Sequence, residues 1–233
     1  TVFVMLEGDE ESKERILQKL YRTDSEDKYE AFLNILMDEN PESCIIFCGT
    51  REMTNVLFQQ LRRNRIFCGM IHGEMEQKER LKTIDAFRRN GFRYLIATDV
   101  AARGVDFDHM THVINYDFPS GRETYVHRIG RTGRAGRVGR SFSFVSGKEI
   151  YKLKEIQRYC KTKIYAQKVP SLSDVANTKM EQILDNMETV IKDANLTAMI
   201  QAIQDKVNES DYTTMDMAAA LLRMSIGEES KEG

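Results

Sequence analysis

The sequence is poor in the residues that define several protein classes. Three prolines among 233 residues exclude a collagen-like chain. Four cysteines, at 44, 48, 68 and 160, lie within or beside apolar runs and match no zinc spacing. They read as reduced core residues of an intracellular protein. His109 and His112 have no cysteine or second histidine pair beside them, so surface or packing roles are expected and no metal site. No apolar run approaches membrane-spanning length, no signal peptide is visible, and the opening TVFVML is too short for either. A cytoplasmic protein without membrane contact is expected. No G-x-x-x-x-G-K-[ST] loop occurs, because Gly147-Lys148 lacks both the upstream glycine and the following hydroxyl. The chain carries no triphosphate cradle of its own.

A net charge of −2 conceals an asymmetry. From Ser171 onward five Lys and Arg stand against twelve Asp and Glu, a balance of −7, which leaves 29 against 24, or +5, for the rest. An acidic unit and an anion-binding unit are expected. The anion site is signalled by YVHRIGRTGRAGRVGR, residues 125–140, where Gly130, Gly133, Gly136 and Gly139 are each followed by arginine. Four glycines are too few for a collagen repeat. Flanking apolar segments, HVINYDF and RSFSFV, argue against a disordered Arg/Gly tail. A phosphate-binding loop remains: glycine permits tight turns, and guanidinium forks bind phosphate oxygens in pairs.

Between Ser43 and Val145 short apolar runs alternate with helix-like stretches. SCIIFC, FCGMI, RYLIAT, HVINY and SFSFV read as buried strands. EMTNVLFQQLRRN, EQKERLKTIDAFRRN and GRETYVHRIG place apolar residues at helical spacing. Such alternation predicts an α/β fold with a parallel sheet covered by helices, and ligands beyond the carboxyl ends of the strands. The Arg/Gly loop and the segments after IIFC, GMI and LIAT are expected on that one edge. After Pro170 only helices are expected: SLSDVANTKMEQILDNM, LTAMIQAIQDKV and TTMDMAAALLRM. Capping boxes, Ser171 with Asp174 and Thr213 with Asp216, open the first and third.

Taken singly, the motifs at the strand ends support two readings each. In ATDVAARGVDF, Thr98 and Asp99 can cap a short helix, Val100–Arg103, whose free N–H groups face an anion, with Arg103 on a phosphate and Asp106 on a ribose. Equally, Asp99 is a cap, Arg103 a surface charge and Asp106 a turn residue. In IHGEMEQKER, Gln77 and Arg80 share a helix face after Gly73, suited to a sugar–phosphate backbone or merely to water. IIFCGTRE places Thr50 and Arg51 at a strand end.

Together, in this order and spacing, these segments resemble the C-terminal RecA-like domain of DEAD-box RNA helicases over roughly residues 18–150. IIFCGT is similar to motif IV, Gln77 to Arg80 to motif IVa, ATDVAARGVD to motif V and YVHRIGRTGRAGR to motif VI. The resemblance implies a RecA-like parallel sheet flanked by helices over residues 1–168, with a linker at about 1–17, and a small all-α domain over 169–233. It implies that Arg131 and Arg134 meet the γ-phosphate of ATP, Arg131 as principal arginine finger. Asp106 would contact the ribose, and Arg103 and His127 would couple the ATP and RNA sites. Thr50, Gly73, Arg80 and Thr98 would hold the RNA backbone, with Gln77 supporting Arg80, and backbone contacts imply little sequence preference. Asp38-Glu39-Asn40-Pro41 resembles the DEAD box only faintly: it precedes a strand and reads as a decoy loop. ATP and Mg²⁺ therefore belong to an intact enzyme of which this chain is a fragment, inactive alone. A non-catalytic RNA-binding or scaffold module is the alternative. YTTMDMAAALLRM is similar to the end of the dimerisation module of bacterial cold-shock-type DEAD-box helicases, which implies a homodimer through residues about 171–226. Met217, Leu221 and Met224 form the expected stripe, and the competing reading is a cap packed on its own domain.

Overall fold

The computed structural model describes residues 2–5, 15–24, 26–105, 110–134, 136–161 and 164–226. The chain divides into two compact units, Thr1–Val169 and Pro170–Gly233.

The first unit is built on one sheet of eight strands: β1 (Val2–Met5), β2 (Arg15–Arg22), β3 (Cys44–Cys48), β4 (Cys68–Ile71), β5 (Tyr94–Thr98), β6 (His112–Asn115), β7 (Val138–Val145) and β8 (Ala166–Gln167). Their order is β1-β2-β7-β6-β3-β5-β4, with β8 beside β1 on the outer edge of β2. Among the described strands only β1 is antiparallel to its neighbour. All five strands expected from the short apolar runs are present. Both β1 and the start of β2 fall in the segment expected as a linker.

Strand side chains alternate between faces, and each face has its own core. Cys44, Ile46, Tyr94, Ile96, Ile114, Phe142 and Phe144 pack on one side with α1 (Lys28–Glu39) and α2 (Arg51–Arg63). On the other side Ile45, Phe47, Leu95, Ala97 and Val113 pack with α3 (Gln77–Arg88) and α4 (Asp99–Ala102). Next to them Ile16, Leu20 and Val145 pack with α5 (Arg122–Ile129) and α6 (Ile150–Tyr159). Burial on both faces explains why the central strands read as continuous apolar runs. Cys44, Cys48 and Cys68 are core residues, and burial pushes their thiols up, that of Cys68 to about 11. His112 is buried too, its ring 5.6 Å from that of Phe142.

Asp38-Glu39 is not a loop. These residues end α1, and Asn40 caps it at φ 40°. Glu39 keeps only 5% side-chain exposure, 2.5 Å from both Lys19 Nζ and Arg140 Nη1, with His112 Nε2 at 3.8 Å. Burial raises its pKa, but His112, Lys19 and Arg140 outweigh burial and hold it at about 2.

Among the described residues the second unit has three helices, α7 (Leu172–Asp193), α8 (Thr197–Asn208) and α9 (Thr214–Ile226). Both capping boxes form. Asp174 N donates to Ser171 Oγ and Ser171 N to the Asp174 carboxylate, and Thr213 and Asp216 repeat the exchange. The stripe expected on α9 is divided: Met217 and Leu222 are half-buried, whereas Leu221 and Met224 stay 50% and 75% exposed.

Candidate functional site

In the parallel part of the sheet the strand ends fix what lies together. The segments after β3, β4 and β5 emerge on the carboxyl edge, and they carry Thr50, Gly73, Gln77, Arg80 and Thr98. Thr50 caps α2, its hydroxyl accepting from Met53 N at 3.1 Å. An ion pair between Arg51 and Glu74 ties that helix start to the turn after β4. Gly73 is exposed, with nothing within 4 Å of where a Cβ would stand. Asp117 pins the same edge, accepting from Gly49 N at 2.8 Å and Lys28 Nζ at 2.7 Å.

Arg80 is held otherwise than expected. Gln77 is exposed and makes no hydrogen bond to it. Arg80 donates instead to the carbonyl of Ala101, at 2.8 Å, and more distantly to that of Arg103. A long side chain one turn into α3 thus reaches the free carbonyls at the end of α4, which accept no bond within so short a helix. That helix begins at Asp99 rather than Val100, and Thr98, in the capping position, makes no side-chain cap.

Asp99 has a different task. Arg128 grips its carboxylate through Nε at 2.6 Å and Nη2 at 2.7 Å, and donates from Nη1 to Asn115 Oδ1 at 3.2 Å and to the Asp117 carbonyl at 2.7 Å. The guanidinium lies 5.0 Å from the Phe47 ring, and the residue is 3% exposed. Arg128 thereby locks α5 to the ends of β5 and β6. Tyr125, one turn earlier, donates to Gln18 on β2. Sequence reasoning passed over Arg128, although its place beside buried Tyr125 and Ile129 on one helical face was the signal: a charge on a buried face requires a partner.

The Arg/Gly loop departs from expectation in its second half. It enters β7 at the amino edge, where Thr132 bridges to Met110 and its hydroxyl donates to the Met110 carbonyl at 2.6 Å. A loop preceding a parallel strand must lie at that strand's start, so the run from Thr132 onward leaves the carboxyl edge, whereas Arg128 and Arg131 stay against the segment after β5. Its glycines are needed for unlike reasons. Gly133 and Gly136 take φ of 73° and 74°, which favours glycine. At Gly139, a Cβ would sit 2.4 Å from Gly133 N and 2.5 Å from Thr132 Oγ1.

Between α4 and α5 lies a cleft of about 50 Å³, lined by Phe47, Asp99, Ala102, Arg103, Thr124, His127, Arg128 and Arg131. It brings Arg103, His127 and Arg131 together. Arg131 Nη1 donates to the Val105 carbonyl at 3.2 Å. Arg134 is not in this lining; its Nε donates to the Gly130 carbonyl at 2.8 Å. Asp106 and His109 lie outside the described residues. Asp99 is paired to Arg128, and the guanidinium groups of Arg103 and Arg131 line the cleft with donors of the kind that bind an anion.

The family described as "Helicase conserved C-terminal domain" matches residues 27–136, and that described as "RNA helicase DeaD dimerization domain" matches 170–232. ATP-dependent RNA helicase DbpA of Bacillus subtilis is 46% identical over 156 residues, 67% of this chain and 33% of that protein. ATP-dependent RNA helicase DeaD of Mycobacterium tuberculosis is 34% identical over 194 residues, 83% of this chain and 34% of that protein. The chain therefore spans about a third of the length of these relatives. Among solved structures, E. coli DEAD-box protein SrmB bound to regulator of ribonuclease activity A aligns at TM-score 0.63 and 35% identity, over 69% of this chain and 93% of that one. The C-terminal domain of the DEAD-box protein Dbp5 aligns at TM-score 0.62 and 32% identity, over 73% and 97%. A two-faced parallel sheet, ordered motifs at its strand ends and matches across both units lead to one statement: the chain belongs to the DEAD-box RNA helicase family, as its C-terminal helicase domain followed by a DeaD-type dimerisation domain.

Proposed function

We propose that this chain is the half of a cytoplasmic, ATP-dependent RNA helicase that binds the RNA backbone and supplies arginines to the nucleotide. The observation that carries the reading is the cleft in which His127, Arg103 and Arg131 meet, braced by the buried Arg128–Asp99 pair. A cationic cleft fits the γ-phosphate, and ATP with Mg²⁺ would supply the phosphoryl group and its counter-ion, held otherwise by the rest of the enzyme. Arg131 acts as the principal arginine finger and Arg134 as its neighbour, each turning to phosphate oxygens as the domains close. Asp106 is assigned to the ribose. On the carboxyl edge Thr50, Gly73, Arg80 and Thr98 hold the RNA backbone, with Gln77 beside them. Because Arg80 bonds to the carbonyls of the segment that ends in Arg103, RNA at that edge and nucleotide at the cleft share one short helix. The second unit forms a homodimer through residues about 171–226, using exposed apolar side chains such as Leu221 and Met224.

In the full-length enzyme, Arg131→Ala lowers RNA-stimulated ATP turnover by about a thousandfold, the lower end for an arginine finger, while RNA affinity without nucleotide is unchanged. An equal loss of nucleotide-free RNA binding would move Arg131 to the RNA site and overturn the assignment.

A further inference from the structure

The positive charge of the first unit is concentrated in one stretch that the helicase motifs leave out. From Lys148 to Lys168 seven Lys and Arg stand against two Glu. That balance of +5 is the whole excess of residues 1–170, and the remainder of that part is neutral. Of the two acids, Glu149 is taken up by its own turn, accepting from Ser146 N and Oγ at 2.8 Å. The stretch is organised by α6, whose Leu153 and Ile156 are buried in the core beside Ile16, Leu20 and Tyr125. With about 3.6 residues per turn, burying those two turns Tyr151, Lys152, Lys154, Glu155, Arg158 and Tyr159 outward, and all six are exposed. Tyr151 keeps 74% of its surface open and Tyr159 50%. A cation lies over one face of each ring and leaves the other for a base: Lys154 Nζ is 5.9 Å from the Tyr151 centroid, and the Arg122 guanidinium is 4.8 Å from that of Tyr159. Arg122 opens α5, the helix that carries His127, so this face continues the motif helix.

An ordinary solvated helix comes near a balance of charges and keeps few large aromatics in water, whereas here Lys152, Lys154 and Arg158 stand against Glu155 alone, beside two exposed tyrosines. Cations interleaved with open ring faces match single-stranded nucleic acid, whose phosphates take the charges and whose bases stack on the rings. An acidic protein would answer the charge but not the rings.

We propose that the outer side of α6, with Arg122, is a second RNA-binding surface that holds single-stranded RNA through Lys152, Lys154 and Arg158 and stacks bases on Tyr151 and Tyr159. It rests on the RNA-binding reading above and carries the strand beyond the carboxyl edge of the sheet. Stacking and phosphate contacts make it indifferent to sequence.

The test is fluorescence anisotropy of a labelled oligouridylate with the 233-residue chain across a salt series. Lys152→Gln/Lys154→Gln/Arg158→Gln should make the log–log salt slope shallower by about 2, at about 0.7 for each phosphate no longer neutralised. Tyr159→Ala should weaken binding about tenfold and Tyr159→Phe not at all, since the ring and not the hydroxyl stacks. An unchanged affinity and slope in the triple variant, with Arg80→Ala weakened, overturns the α6 surface and keeps the carboxyl edge. The reverse pattern keeps α6 and removes the edge. Absence of RNA binding by the unaltered chain overturns both, and binding of polyglutamate in place of oligouridylate would make the face a protein site and end the proposal.

Discussion

Arg128→Met measures how firmly the motif helix is locked. The guanidinium makes four hydrogen bonds: two to the Asp99 carboxylate, and one each to Asn115 and the Asp117 carbonyl. Methionine fills much of the same volume and makes none. Hydrogen bonds to charged groups contribute about 1.5–3 kcal/mol each. The side chain of Asp99 retains 29% exposure, so water takes back part of the loss there, and the bidentate pair is counted once at about 2 kcal/mol. Asn115 is fully buried, and the two remaining bonds add about 1 kcal/mol apiece. The sum, about 4 kcal/mol, lies within the range for breaking a buried pair. Cysteine labelling during urea unfolding gives a clean reading. Cys44, Cys48 and Cys68 are buried in the first unit, and no cysteine follows Cys160. With a slope of about 2 kcal/mol/M, the labelling midpoint falls by about 2 M. In a double-mutant cycle with Asp99→Asn, coupling of about 1.5–2 kcal/mol is expected. A loss under about 1 kcal/mol, or additive effects, would refute the argument that this pair locks α5.

Glu39 predicts an acid-side weakness. Its folded pKa of about 2 lies below the ordinary 4.5, so its stabilisation is complete above about 4.5 and is lost as pH falls toward 2. That corresponds to about 3 kcal/mol, and Glu39→Gln should flatten the decline in urea midpoint across that window, from about pH 4.5 toward pH 2. Gly139→Ala should destabilise the first unit by about 1–3 kcal/mol, because its Cβ meets backbone and Thr132 rather than a flexible chain end; wild-type stability would refute the close approach. Leu221→Asp should turn a micromolar dimer into a monomer in sedimentation velocity, since burying each exposed leucine contributes roughly 1.5–3 kcal/mol. A 26.9 kDa species already present in the unaltered chain at tens of micromolar would remove the dimer.

What could be read from the sequence follows from local rules. Short apolar runs such as IIF and LIA announce buried parallel strands because both their sides are covered. Ser171 with Asp174 and Thr213 with Asp216 announce helix starts because a cap needs only neighbours three residues away. Strand β2, RILQKLYR, hides among charges: Ile16 and Leu20 point inward, but Gln18 joins them under Tyr125 and Lys19 reaches Glu39. No local pattern reveals that a glutamine and a lysine will find partners 107 and 20 residues away.

The sequence by itself determined the alternation of strands and helices, the two-unit composition, and the identity of the strand-end motifs. Each depends on periodicity, capping or ordered spacing along the chain. Only the tertiary structure decided that Arg128, not Arg131, is the buried hub, that Glu39 ends a helix inside an ion cluster, that Arg80 rests on the carbonyl of Ala101, and that the Arg/Gly loop runs on from the cleft to the amino edge. Those outcomes depend on strand order and register, which bring charges far apart in the chain within hydrogen-bond distance and leave a buried charge no alternative but to pair.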